Sequence, residues 1–348
     1  MMSVMRSVRT IDTDVSQAPS KRVSVSAVVP CHNEEAVVNE LLRRLTAACE
    51  AAVGDDFEIV MVDDGSRDDT RMLLRAAQAK DPRIVGVFLS RCHGHQLALT
   101  AGLAVARGER LFVLDADLQD PPELLGAMIE KMNEGYDVVY GKRRTRKGES
   151  VFKQASASAF YRLMSRLVAF DIPLDTGDFR LMTRRVADVL SDMPERDRFI
   201  RGMISWAGFP QVAFEYDRDA RFAGETKYPL RKMLSFAVGA ISSFSTIPLR
   251  IAMWIGFIFS ALSFALIIYT VAVWLGGSAV QGWSSTMIAV LLIGGVQLMT
   301  IGVLGEYVGR TYMQSKMRPL FIVEEIVRAK DELVEPSEAK HDLKITAN

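Results

Sequence analysis

Residues 111–123 read Leu-Phe-Val-Leu-Asp-Ala-Asp-Leu-Gln-Asp-Pro-Pro-Glu, a short apolar run followed at once by two carboxylates. The apolar run has the length of a buried strand, and the proline pair favours the start of a helix. In open α/β sheets, ligands bind at the carboxyl ends of strands. Asp115 and Asp117 can hold a divalent cation there and, through it, a diphosphate. The alternative is a helix cap with a solvated turn.

The rest of the first half of the chain alternates strand-like and helix-like segments. Strand-like runs at Val23–Val29, Phe57–Val62 and Ile84–Leu89 alternate with helical patterns at Asn33–Ala52, Thr70–Ala79 and Gln96–Ala106. This order predicts an α/β fold with a mostly parallel, Rossmann-like sheet. Right-handed crossovers bring three loops rich in carboxylates and amides, 30–35, 63–70 and 115–123, to one edge. The sequence lacks Gly-x-x-x-x-Gly-Lys and Gly-x-Gly-x-x-Gly, which disfavours P-loop and dinucleotide-binding folds.

Overall charge and cysteine usage narrow the class of protein. The chain has 42 basic and 42 acidic side chains, which gives no support for a nucleic-acid partner. Cys31, Cys49 and Cys92 are scattered without metal-ligand spacing, so a reduced, cytoplasm-facing environment is expected. The first 22 residues are polar, which predicts a disordered lead and no signal peptide.

A long uncharged stretch predicts a membrane region. No Lys, Arg, Asp or Glu occurs between Arg250 and Glu306. Ile251–Leu275 and Thr286–Gly305 are each long enough to cross a hydrocarbon core of roughly 30 Å. Basic residues flank this pair of segments on both sides, so the positive-inside rule places both termini in the cytoplasm. The sequence therefore predicts a multi-pass protein of the cell (inner or plasma) membrane with two transmembrane helices.

Two basic amphipathic segments lie between the soluble part and the membrane spans. They cover Val151–Phe170 and Tyr228–Phe244. Helices of this kind lie at the headgroup plane and attract anionic lipid. Packing against the soluble core is the alternative.

Three motifs of the chain resemble the signatures of inverting family 2 glycosyltransferases. They are Val29-Pro30-Cys31-His32-Asn33-Glu34-Glu35, Val62-Asp63-Asp64-Gly65-Ser66 and Asp115-Ala116-Asp117-Leu118-Gln119-Asp120-Pro121. Within that family the chain is similar to polyprenyl-phosphate sugar transferases of the dolichol-phosphate mannose synthase and bactoprenol glucosyltransferase kind. Further matches are Gly94-His95-Gln96, Thr176-Gly177-Asp178-Phe179-Arg180-Leu181, Ala223-Gly224-Glu225-Thr226-Lys227-Tyr228 and Gly305-Glu306-Tyr307-Val308-Gly309-Arg310. Cys31-His32 departs from the family, where an aromatic residue is common.

The resemblance implies a GT-A fold and a donor site at the acidic sheet edge. The implied nucleotide-binding residues are Pro30, Asn33, Glu34, Asp63, Asp64, Asp115, Ala116, Asp117 and Gln119. Asp115, Asp117 and Gln119 are expected to hold Mg²⁺ or Mn²⁺ against the donor diphosphate. The metal would neutralise charge on the leaving nucleotide.

The implied acceptor is a polyprenyl phosphate. A phosphate monoester is largely dianionic at neutral pH, so it needs cations to steer it more than a strong base. Candidate phosphate-binding residues are Arg143, Arg144, Lys153, Arg221 and Lys227. The expected catalytic residues are Asp178, Asp117 and Arg221, with Arg221 on a mobile loop. Asp178 is interpreted as a base or as an orienting group for the acceptor, and a structural ion pair with Arg180 or Arg184 is the alternative.

Together these features predict five segments. They are a lead at 1–22, a GT-A catalytic domain at 23–225, a juxtamembrane amphipathic helix at 226–247, a two-helix transmembrane region at 248–309 and a cytoplasmic segment at 310–348. The expected reaction is inverting transfer of a hexose, best guessed as glucose from UDP-glucose, to polyprenyl phosphate. The alternatives are a mannosyltransferase that uses GDP-mannose, a processive polysaccharide synthase and a non-catalytic membrane scaffold. Self-association through the spans, giving a homo-oligomer, is also expected.

Overall fold

The computed structural model describes residues 22–144, 176–217, 247–276 and 282–329. Within these ranges eight strands form one sheet: β1 (Val25–Cys31), β2 (Phe57–Asp63), β3 (Ile84–Leu89), β4 (Arg110–Val113), β5 (Val138–Arg143), β6 (Thr176–Thr183), β7 (Gln211–Tyr216) and β8 (Val323–Val327). The helices described are α1 (Val38–Val53), α2 (Thr70–Lys80), α3 (His95–Val105), α4 (Leu125–Asn133), α5 (Arg184–Asp192), α6 (Ile200–Ala207), α7 (Ile247–Leu275) and α8 (Trp283–Ser315).

The central strands confirm the predicted mostly parallel sheet. The strand order is β7-β5-β6-β4-β1-β2-β3-β8. β1 pairs in parallel with β2 and β4, β2 pairs in parallel with β3, and β6 runs antiparallel to β4 and β5. Every residue of β1, β2 and β3 is buried, as expected for strands covered on both faces. The carboxyl ends of β1, β2 and β4 therefore lie at one edge of the sheet.

Helices form a separate hydrophobic core on each face of the sheet. Leu41 of α1 belongs to one core and Leu99 of α3 to the other. α3 approaches β1 closely, since a Cβ atom on Gly102 would lie 2.4 Å from Val28 Cγ1. Glycine is the residue that permits this approach, and it brings the amino end of α3 up to the acidic edge.

The strand β8 at the sheet edge is not predicted by the sequence. It pairs antiparallel with β3, so the chain returns to the α/β sheet after α8. The sequence predicts a separate cytoplasmic segment here, whereas the structure makes these residues part of the sheet. Its sequence, Val-Glu-Glu-Ile-Val, lacks the strict alternation that identifies a half-buried strand.

The helices α7 and α8 are 29 and 33 residues long and pack against each other. Among the described residues, the helical stretch Leu292–Ser315 is long and apolar enough to cross a membrane. This stretch overlaps the second predicted span, and the first stays a prediction. The end of α8 contacts the α/β domain, where Arg310 Nη1 lies 2.6 Å from Asp197 Oδ2 and Gln314 Nε2 donates to Pro194 O at 2.5 Å.

Several predicted segments lie outside the described residues. They are residues 1–21 of the predicted lead, both amphipathic segments, and residues 330–348 of the predicted cytoplasmic segment. These assignments stay predictions.

Candidate active site

The first two acidic loops lie side by side at the carboxyl edge of the sheet. Asn33 N donates to Ser66 Oγ at 2.9 Å, and Asn33 Oδ1 accepts from Arg67 N at 2.8 Å. Glu34 N donates to Thr70 Oγ1 at 2.8 Å. Asn33 has a φ of 57°, a left-handed conformation that asparagine tolerates better than most residues. The structure thus brings the two predicted donor loops together through hydrogen bonds from backbone N–H groups of one loop to side-chain oxygens of the other.

Asp63, at the end of β2, is fully buried and ionically paired. Its Oδ1 atom accepts from Ser66 N at 3.1 Å, which closes the turn after β2. Its Oδ2 atom accepts from Arg71 Nε at 3.0 Å. The Arg71 guanidinium on α2 therefore balances this buried charge.

Asp64 holds the loop that leads into α3. Its carboxylate accepts from His93 N at 2.6 Å, Gly94 N at 2.9 Å and Cys92 Sγ at 3.2 Å. The Asp64 side chain is also almost wholly buried. Both aspartates of the second motif thus stabilise the backbone around the predicted nucleotide pocket.

Asp115, two residues beyond the end of β4, carries a buried oxygen that lacks a hydrogen bond. Its Oδ1 atom accepts none from the described residues, although His95 Nε2 lies 3.4 Å away. The side chain as a whole keeps 29% of its surface exposed, so a ligand can still approach it. Burial raises the pKa of Asp115 to about 6, His95 opposes that rise, and the charges of Asp178, Asp120 and Asp117 add to it.

Asp178, on β6, lies at the centre of a cluster of donors. Its Oδ2 atom accepts from His95 Nε2 at 3.0 Å and from Gln96 Nε2 at 2.8 Å. Its Oδ1 atom accepts from Arg201 Nε at 3.0 Å, and Arg180 Nη2 lies 3.8 Å away. Burial would raise the pKa of Asp178, but these cations outweigh burial and hold the pKa well below its usual range.

The sequence offered a structural ion pair with Arg180 or Arg184 as an alternative role for Asp178. The ion pair with Arg180 is present as one of several contacts of Asp178, whereas the predicted ion pair with Arg184 is wrong. Arg184 donates to the backbone oxygens of Gly108 and Ala106. Those contacts fasten the start of α5 to the loop before β4. Arg184 is thus a structural residue at the opposite end of β6 from Asp178.

The same cluster joins β4, α3 and β6. Ligand atoms of His95, Asp115 and Asp178 all lie within 4.8 Å of one another. Burial lowers the pKa of His95, but its hydrogen bond to Asp178 and the charges of Asp115 and Asp178 outweigh that effect and raise it. His95 thus separates two carboxylates that would otherwise repel each other.

The two arginines at the end of β5 face different surroundings. Arg143 lies beside Asp120 and Tyr216, and a Cβ atom on Gly177 would lie 2.9 Å from Arg143 Nη2. Arg144 is exposed and stands 4.0 Å from Glu215. The structure therefore brings Arg143 toward the acidic cluster and directs Arg144 away from it.

The remaining predicted residues are placed as follows. Pro30 lies in β1 opposite Val62, and Ala116 is buried. Gln119 N donates to Asp117 Oδ1 at 3.1 Å, which shapes the loop after β4. Lys153, Arg221 and Lys227 lie outside the described residues, so their roles stay predictions.

The sequence alone does not reveal that Asp178 accepts hydrogen bonds from His95, Gln96 and Arg201. The first two belong to a recognised motif, but only the position of β6 shows that they bind Asp178. Gln96 also accepts from Ile200 N at 2.9 Å, which ties the start of α6 to the cluster. Arg201 lies in a stretch without any motif, and nothing in its local sequence separates it from a surface arginine.

Known proteins resemble this chain along most of its length. The sequence profile of glycosyl transferase family 2 matches residues 26–190, and that of the GtrB C-terminal hairpin matches residues 247–311. The uncharacterized glycosyltransferase YkcC of Bacillus subtilis is 46% identical over 88% of this chain and 94% of its own length. The prophage bactoprenol glucosyl transferase homolog of Escherichia coli K12 is 38% identical over 87% of this chain and 99% of its own length.

A phage protein and a solved structure complete the comparison. The bactoprenol glucosyl transferase of Shigella phage SfX is 37% identical over 86% of this chain and 99% of its own length. Glucosyl-3-phosphoglycerate synthase from Mycobacterium tuberculosis superimposes with a TM-score of 0.42 at 20% identity, over 63% of this chain and 78% of that one, a superposition too loose to bear on function. The family profile and the relatives confirm the resemblance seen in the motifs, and the chain is a glycosyltransferase that belongs to glycosyl transferase family 2.

Proposed function

We propose that this glycosyltransferase transfers glucose from UDP-glucose to a polyprenyl phosphate at the cytoplasmic face of the cell membrane. The names of the bactoprenol glucosyl transferase relatives support the lipid acceptor and the sugar. The observation that carries the proposal is the Asp115 carboxylate at the carboxyl edge of the sheet, whose buried Oδ1 atom accepts no hydrogen bond from the described residues. A carboxylate of this kind is suited to a cation and a donor diphosphate.

The acidic edge fits a divalent cation. Asp115 offers an oxygen that accepts no hydrogen bond from the described residues, and its pKa is raised chiefly by burial and further by nearby carboxylates that include Asp117. Hard oxygen ligands of this type suit Mg²⁺ or Mn²⁺, which Asp115 and Asp117 would hold together with Gln119. When bound, the cation supplies Lewis-acid stabilisation of the departing diphosphate.

Asp178 is proposed to orient the site and not to act as its base. Both of its oxygens already accept hydrogen bonds, and its lowered pKa makes it a weak proton acceptor. A phosphate monoester acceptor is largely deprotonated at neutral pH and needs no strong base. Asp178 instead fixes Arg201 and His95, two donors that border the reaction centre.

The chemistry is a single displacement at the anomeric carbon. A phosphate oxygen of the lipid forms the new bond to that carbon, while the bond to the donor diphosphate breaks and its electron pair leaves with the diphosphate. Arg143 and Arg201 border the acidic cluster and are proposed to receive the acceptor phosphate. Arg221, Lys227 and Lys153 are expected to add further positive charge.

Two membrane spans and cytoplasmic termini are part of the proposal. The match to the GtrB C-terminal hairpin covers α7 and most of α8, and it supports a two-helix membrane region. Arg310 on α8 contacts Asp197 of the α/β domain, which supports a cytoplasmic location for that end of α8. This arrangement brings a membrane-borne phosphate close to α6 and Arg201.

The proposal is tested with purified full-length protein in lipid nanodiscs that contain undecaprenyl phosphate. Radiolabelled UDP-glucose, GDP-mannose and UDP-N-acetylglucosamine are supplied in turn with Mg²⁺, with Mn²⁺ or with a chelator. We expect lipid-linked product from UDP-glucose, loss of product with the chelator, and loss in the Asp115→Asn variant. Asp188→Asn, an exposed control on α5, should retain activity. Product from GDP-mannose alone would overturn the sugar assignment, and no product from any donor would favour a non-catalytic role.

A further inference from the structure

The return strand β8 contains a bulge. Val323 pairs with Leu89 of β3, and Glu325 pairs with the adjacent Phe88. Glu324 is therefore the extra residue that opposes no partner on β3. A bulge of this kind bends the strand locally and changes the direction of a side chain.

The bulge turns two adjacent acidic side chains toward the same helix. In a regular strand, neighbouring side chains point to opposite faces of the sheet. Glu324 Oε2 instead lies 3.0 Å from Arg71 Nη1, and Glu325 binds Arg75 on the next turn of α2. The strand β8 thus makes two ion pairs with α2 that a regular strand could not make together.

Of these two ion pairs, only the one between Glu324 and Arg71 is linked to a residue of the predicted donor site. Arg71 uses Nη1 for Glu324, Nη2 for Leu89 O at 3.1 Å and Nε for Asp63 at 3.0 Å. Asp63 is fully buried and closes the turn to Ser66 with its other oxygen. Arg75 has no described contact with either donor-side aspartate, which makes its pair with Glu325 a matched control.

The same return segment touches the loop held by Asp64. Ile322 O accepts from Ser90 N at 3.0 Å, and Ile322 N donates to His93 Nε2 at 3.4 Å. The backbone nitrogen of His93 is one of the donors to Asp64. The chain that leaves α8 therefore reaches both aspartates of the second motif, each through one intermediate residue.

We propose that Glu324 is a positioning residue of the donor site that acts through Arg71 to hold Asp63 and the turn after β2. The part of this proposal that concerns the nucleotide rests on the proposed function. The part that concerns the turn does not, because it depends only on the Glu324–Arg71–Asp63 contacts. The strand that follows the hydrophobic helices thereby sets the geometry of the nucleotide pocket.

The first test needs no substrate. Hydrogen–deuterium exchange is measured on peptides covering residues 63–70 in wild-type protein, Glu324→Gln and Glu325→Gln, all full-length. Glu324→Gln should speed exchange in these peptides about three- to five-fold, the size that a partly exposed ion pair supports. Glu325→Gln should leave exchange there unchanged. Equal exchange in the two variants would overturn the proposal, even if the enzyme proved inactive.

The second test separates positioning from general stability. With UDP-glucose as donor, Glu324→Gln should raise KM about three- to five-fold with kcat little changed, since the ion pair acts on donor binding alone. Glu325→Gln should leave both constants unchanged, and the two variants should unfold at the same temperature. A wild-type enzyme that transfers no sugar would refute the proposed function. An active wild type with equal KM in both variants would refute the role of Glu324.

Discussion

The crowded carboxylate of Asp115 predicts that removing its charge stabilises the protein while it destroys activity. The pKa of this group rises from an ordinary 3.8 to about 6, so the folded chain retains the proton over a pH range in which the unfolded chain has lost it. Stability therefore falls as the pH rises through this window, and at pH 7.5 the ionised group destabilises the fold. Each pKa unit corresponds to about 1.4 kcal/mol, which sets an upper limit of about 3 kcal/mol.

Partial exposure and coupling to the neighbouring acids reduce this limit to about 1–2 kcal/mol. In Asp115→Asn, the melting temperature in chelator at pH 7.5 should therefore rise by about 3–6 °C. The gain should shrink near pH 4.5, where wild-type Asp115 is largely protonated. Mn²⁺ should stabilise the wild type and not the variant. Differential scanning fluorimetry measures all three, and a variant that melts below wild type at pH 7.5 would refute the reasoning.

Three further predictions concern residues around the cluster. Asp178→Asn should lose activity and also about 3–5 kcal/mol of unfolding free energy in urea titrations, because buried Arg180 loses its counter-charge. A variant that is stable but inactive would instead indicate that Asp178 is a catalytic base. Tyr216→Phe should cost about 1–3 kcal/mol, since the tyrosine hydroxyl donates to buried Asp120, and unchanged stability would contradict that role. Burial and the hydrogen bond to Asp64 raise the pKa of Cys92, so mass spectrometry should find its alkylation at pH 7.5 slower than that of glutathione, and an equal rate would be inconsistent with this contact.

Sequence patterns were sufficient for the central fold because the central strands have strong local signals. β1, β2 and β3 are mostly apolar runs, and the helices after β1 and β2 have a clear 3.6-residue period. The strand β8 could not be predicted from the sequence, because its two glutamates form ion pairs with Arg71 and Arg75, which are distant in sequence. A strand that depends on partners on another element has little signal of its own.

The site divides in the same way. The motifs identified Asp63, Asp64 and Asp115, since each lies at or just beyond the carboxyl end of a mostly apolar strand. They could not reveal that Asp63 and Asp64 are already satisfied by the protein, whereas Asp115 is not. Asp63 is satisfied by Arg71, and Asp64 by the backbone nitrogens of the loop before α3. Asp115 is therefore the one of these three carboxylates with an oxygen left for a ligand. Arg201 shows the same limit, because its contact with Asp178 exists only once α6 packs beside β6.

The end of α8 is tied to the α/β domain on both sides of the candidate site. Arg310 binds Asp197, which lies three residues before Ile200, and Ile200 N is held by Gln96 of the Asp178 cluster. Beyond α8 the chain continues to β8, where Glu324 reaches the donor edge. Under the proposed topology, a single membrane helix thus sets the position of the acceptor side and of the donor side. For the proposed lipid-phosphate acceptor that constraint matters, because displacement requires the two substrates to be held in a fixed geometry relative to each other.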